Sequence, residues 1–99
     1  MVWGRSRIRE QEVADFAAWL DGVTDTPAPR PAEEYLFDLL NTPGCGGVGR
    51  RARELVATLP TGVAVTPATV VGIVDRLDRE LASERFSAVA QRVRERLHT

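Results

Sequence analysis

Apolar residues recur along this chain at helical spacing, and the clearest run is Val70, Val74, Leu77 and Leu81. Separations of four, three and four residues put these on one face at 3.6 residues per turn. Val71 and Ile73 widen the stripe beyond the ~100° that a surface helix needs, so this helix is expected to touch more than one neighbour. Thr66 suits the N-cap and Pro67 the first helical position, where a missing N–H is harmless. On the polar side, Asp75 and Arg79 form an i, i+4 pair in the favourable orientation and Arg76 and Glu80 one in the weaker orientation. A glycine inside a helix costs about 1 kcal/mol against alanine, so Gly72 either lies where another backbone packs closely, the reading we favour, or is simply unoptimised.

The same pattern outlines the remaining elements. Arg5 to Leu20 reads as a first helix burying Val13, Phe16, Ala17 and Leu20, with Trp19 beside them and Gly22 as its stop. Trp3 is too near the start to place. Prolines 27, 29 and 31 make a stiff connection within the domain, and Pro31 opens a second helix to Asn41. That helix carries Glu33 and Glu34 at its positive end and is expected to bury Leu36, Leu39 and Leu40, with Tyr35 and Phe37 alongside. Val48, Ala52, Leu55, Val56 and Leu59 mark a third, broken by Pro60-Thr61-Gly62, with Val63 to Val65 an apolar connection. Phe86, Val89, Val93 and Leu97 mark the last, from about Glu84, with Ser83 as N-cap. Its stripe is out of register with the preceding one, which predicts a break at Ala82-Ser83. The fold expected is an all-α, compact bundle of about five helices.

Composition agrees with one domain over residues 1–99: 43% hydrophobic and 27% charged is ordinary for a globular chain with one modest core. No run of about 18 apolar residues occurs, and Arg5, Arg7 and Arg9 followed by Glu10 and Glu12 lack a signal-peptide core. A membrane partner is therefore not expected, and a cytoplasmic location is. Cys45 is the single cysteine and His98 the single histidine, too few for an internal disulfide or a three- or four-ligand metal site. All thirteen basic side chains are arginine, which we read as coding bias before function.

Charge is unevenly distributed. Gln11 to Thr42 holds seven acids against Arg30 alone, whereas Pro43 to Thr99 holds nine arginines against six acids. Such poles can steer one copy, or a related domain, onto another, and the equal alternative is that folding mixes these charges. The candidate basic face is Arg50, Arg51, Arg53, Arg92 and Arg96; the candidate acidic face is Glu33, Glu34 and Asp38.

Gly44-Cys45-Gly46-Gly47-Val48-Gly49-Arg50-Arg51 imitates two nucleotide motifs and satisfies neither. The dinucleotide fingerprint requires a preceding strand and an acid about 20 residues on, but a helix precedes here and Ala64 to Val70 holds no acid. The P-loop requires Lys then Ser or Thr, where this chain has Arg50 and Arg51. Cys45 has only His98 as a conceivable imidazole partner, and no paired carboxylates sit in an apolar setting. A non-enzymatic chain with no cofactor and no small-molecule substrate is expected.

Residues Pro43 to Leu81, with Leu39-Leu40, resemble the effector-associated domains of bacterial conflict systems, regarded as Death-like helical adaptors. The shared features are a leucine helix ending near proline and Cys45, then Arg53-Glu54-Leu55-Val56-Ala57-Thr58-Leu59-Pro60, then a Pro67-led helix reading Val70-Val71-Gly72-Ile73-Val74. The resemblance implies a bundle of up to six helices that recruits an effector by pairing with a like domain, or with itself as a homo-oligomer. Residues 65–77 are also similar to the recognition helix of MarR-type repressors, which makes a small helix-turn-helix DNA-binding regulator the alternative. Against it stand a net charge of −1 and the lack of an alternating hairpin for a wing.

Overall fold

A computed structural model describes residues 9–97, which form five helices and no strand. They are α1 (Glu10–Thr24), α2 (Ala32–Leu40), α3 (Gly46–Ala57), α4 (Pro67–Leu81) and α5 (Glu84–Leu97). One cluster of buried side chains draws on all five. The largest are Phe16, Tyr35 and Phe86, and the Phe16 and Phe86 rings lie 5.7 Å apart where α1 packs along α5.

The all-α bundle matches the spacing of apolar residues, and several boundaries follow the local chemistry. Thr66 caps α4 with Pro67 behind it, and the Thr66 N–H donates to the Thr69 hydroxyl at 3.3 Å. As its broad stripe predicts, α4 packs against α2, α3 and α5. It ends at Ala82, which takes the left-handed conformation at φ 49°, and the Ser83 hydroxyl accepts the Phe86 N–H at 3.3 Å to start α5.

Four expectations need correction. The first helix starts at Glu10, after an extended Arg9, and runs through Gly22 to Thr24; Arg5 to Ile8 and Trp3 lie outside the described residues. It continues because Thr24 belongs to the buried stripe, and its hydroxyl donates to the Leu20 carbonyl at 2.7 Å instead of exposing a polar group. The second helix is turned relative to its expected face: Ala32, Tyr35 and Leu39 are buried, Leu36 is half-buried, and Phe37 and Leu40 are 67% and 47% exposed. Tyr35 is the larger anchor, and the Arg30 guanidinium lies over its ring 5.0 Å from the centroid. Pro31, expected as the first helical residue, is instead the extended N-cap of this helix.

Gly72 is the third correction, since a Cβ there would meet nothing within 4 Å. It faces an open surface and not another backbone. The fourth concerns the α4 charges. Arg76 pairs with Glu80 at 2.8 Å, while Asp75 is taken by Arg94 of α5 at 2.8 Å. A cross-helix guanidinium that also reaches Asp78 outcompetes the local Arg79.

Candidate functional site

The glycine segment, which imitates nucleotide motifs without satisfying them, is filled by its own chain. Gly44, Cys45 and Gly46 have φ values of 51°, 64° and 54°, three successive left-handed residues that turn the chain sharply into α3. Gly49 lies against the turn, where a Cβ would come 2.3 Å from the Gly44 carbonyl oxygen. The Glu12 carboxylate of α1 occupies the α3 N-terminus and accepts the Gly47 N–H at 3.1 Å. It lies so near Gly46 that a Cβ there would fall 2.5 Å from its carboxyl carbon. The place where an anion could sit at this helix end is thus held by a residue of the protein. Cys45 is half-buried at the same turn; burial pushes its thiol above the ordinary value, with Asp15 adding to the shift and Arg53 opposing it. A raised thiol is a poor nucleophile.

The charged candidates are largely occupied as well. Arg51 donates to both carboxylate oxygens of Glu80 at 2.8 Å and pairs with Glu54 at 3.2 Å. With Arg76 on its other side, Glu80 is held below the usual carboxylate range, chiefly by the hydrogen bond from Arg51. Arg53 donates to the Thr42 carbonyl at 2.9 Å, tying α3 to the end of α2. Arg92 chelates Asp21, and Arg96 reaches Thr26 and the Ala28 carbonyl, clasping the proline-rich connection to α5. Four of the five basic candidates, Arg51, Arg53, Arg92 and Arg96, are thus turned toward separate neighbours within the protein. On the acidic side, Arg30 takes Glu34 at 3.2 Å and Asp38 at 2.7 Å. Arg50 and Glu33 are exposed and have no ion-pair partner among the described residues.

These pairings bear on the nucleic-acid alternative too. Of the arginines on α5, Arg92, Arg94 and Arg96 are engaged within the protein. Residues 58–66 separate α3 from α4, longer than the tight turn of a helix-turn-helix, and no strand follows α4 among the described residues.

An apolar surface also remains open. A groove of about 500 Å³ opens between the end of α3, the connection 58–66 and the first turns of α4, with Leu36 of α2 on its edge. Leu59, Val65, Ala68 and Ile73 line its walls, Gly72 keeps one wall low, and Val63 stands at its edge 61% exposed. Arg76 is its only charged lining residue among the described residues. Beside it runs a ridge on α2. At 100° per residue, Leu36, Leu40 and Phe37 occupy one arc of about 100°, with Glu33 between the latter two.

Sequence reasoning missed this surface because each half looks like core. Val63 reads as part of a connection and Phe37 and Leu40 as members of a buried stripe; their exposure depends on how α2 is rotated. The one available signal was excess: α2 has more apolar positions than one face can bury. Among the described residues no cluster of histidine, cysteine or carboxylate side chains could hold a metal, and no helix is long and apolar enough to cross a membrane. Comparison of the chain with protein-family models, with curated proteins and with solved structures returns no match.

Proposed function

We propose that this domain is a non-enzymatic protein-interaction module, an adaptor that docks another polypeptide through the α2 ridge and the adjoining groove. The carrying observation is the continuity of that apolar surface. Among the described residues, Phe37, Leu40 and Val63 are the large apolar ones left exposed, and Leu36, which lines the groove, belongs to the same arc as Phe37 and Leu40. Contiguous apolar patches on small domains mark interaction sites, whereas scattered exposed leucines do not. The reading keeps the adaptor role expected from the sequence but moves its surface. Complementary charged faces give way to an apolar contact with a charged margin, because six of the eight candidate charges are engaged within the domain by ion pairs or hydrogen bonds.

A photo-crosslinking side chain at position 63 tests it in the cells that produce the protein. Polypeptide adducts are expected, and they should vanish when Ala68→Arg places a charge in the groove. Adducts to nucleic acid alone, or none, would refute the adaptor reading.

A further inference from the structure

The apolar surface has two halves of complementary shape and charge. The ridge is convex: Phe37 projects from α2 at 67% exposure, and the adjacent acid, Glu33, has no ion-pair partner among the described residues. The groove is concave, with Arg76 as its only charged lining residue among the described residues. Arg76 uses its Nε to hold Glu80, and its side chain remains 51% exposed. A convex apolar residue beside a free carboxylate fits a concave apolar site beside an accessible guanidinium.

We infer that the occupant of the groove is a second copy of this chain, each copy seating Phe37 in the other's groove, with Glu33 meeting Arg76 across the contact. This rests on reading the groove as a docking surface and names its partner. Ridge and groove adjoin at Leu36, which belongs to the α2 arc and also lines the groove. One two-fold axis can therefore satisfy both contacts at once and close the assembly as a dimer; a ridge on the opposite side would generate filaments. The chain exposes 6102 Å², of which a standard interface would cover about 800 Å² per partner. Ridge and groove form a smaller patch, so dissociation on the order of 10–100 µM is expected.

Sedimentation equilibrium on the purified full chain, from micromolar to about 1 mM, provides the test. The native chain should pass from monomer to dimer. Phe37→Asp should weaken association about tenfold or more while leaving the circular dichroism melt unchanged, since Phe37 is outside the core. The decisive arm uses charge reversal. Glu33→Arg and Arg76→Glu should each suppress self-association, because both contacts in either homodimer then join like charges. An equimolar mixture should restore it, because both contacts in the mixed pair are opposite. Glu80 keeps Arg51 as a partner in the second variant, so folding is retained.

A native chain that is monomeric throughout, or a dimer untouched by Phe37→Asp, overturns the inference. So does failure of the mixture to associate. The broader adaptor reading fails separately: position 63 would yield no polypeptide adduct. Crosslinking to a different protein, with the purified chain monomeric, removes the self-pairing and leaves the adaptor.

Discussion

The glycine segment 44–49 and the apolar ridge and groove differ in how completely the chain satisfies them. In the first, left-handed backbone and a close-packed Gly49 use the available space, and the Glu12 carboxylate takes the Gly47 N–H. In the second, Phe37, Leu40 and Val63 remain in water beside an open groove. The first looks like a binding motif and is a structural joint; the second has no motif and is the better binding candidate. A glycine-rich spacing is informative only if the donors it exposes lack a partner. Here the partner is a residue of α1, 35 positions away in sequence from Gly47.

Three substitutions would break or sharpen this contrast. The largest effect is expected from Gly49→Ala, whose methyl would fall 2.3 Å from the Gly44 carbonyl oxygen. Overpacking against backbone should destabilise the domain by about 2–3 kcal/mol in urea unfolding. A neutral result would mean that the turn is not the joint described.

Glu12→Ala comes next. It strips the α3 N-terminus of its carboxylate and the Gly47 N–H of its acceptor, at a cost of about 1–2 kcal/mol. Added sulfate or phosphate should stabilise this variant more than the parent, since the vacated helix end can then take an anion; equal responses would show that Glu12 does not fill such a site. The smallest effect is Gly72→Ala, on the groove wall. With nothing within 4 Å of the added methyl, it should raise stability by about 0.5–1 kcal/mol. A loss of stability would reveal a close contact there. The pair Gly49→Ala and Gly72→Ala therefore separates a filled region from an open one by the sign of the same chemical change.

Much of the fold was legible in the sequence because helix boundaries are local. Thr66-Pro67, the Ala82-Ser83 break and the stripes of α3, α4 and α5 follow from residues within one or two turns of each other. Gly22 misled because a glycine can end a helix but need not, and buried Thr24 beyond it carries the stripe one turn further. The rotation of α2 was not legible, since Leu36, Leu39 and Leu40 compete with Ala32, Tyr35 and Leu39 for one buried face. Which of the candidate charges stay available was not legible either: Arg50 and Glu33 do, whereas Arg51 and Arg92 are taken. Availability depends on partners such as Asp21 for Arg92, 71 residues apart.

By itself, the sequence determined that this chain forms an all-α bundle and roughly where its helices begin and end, because periodicity and capping act within a few residues. Only the tertiary structure decided which side of α2 meets water, which guanidinium groups are spent, and that the glycine turn is closed by Glu12. Those outcomes depend on which distant helix supplies the opposing atom, and neither spacing nor composition carries that information.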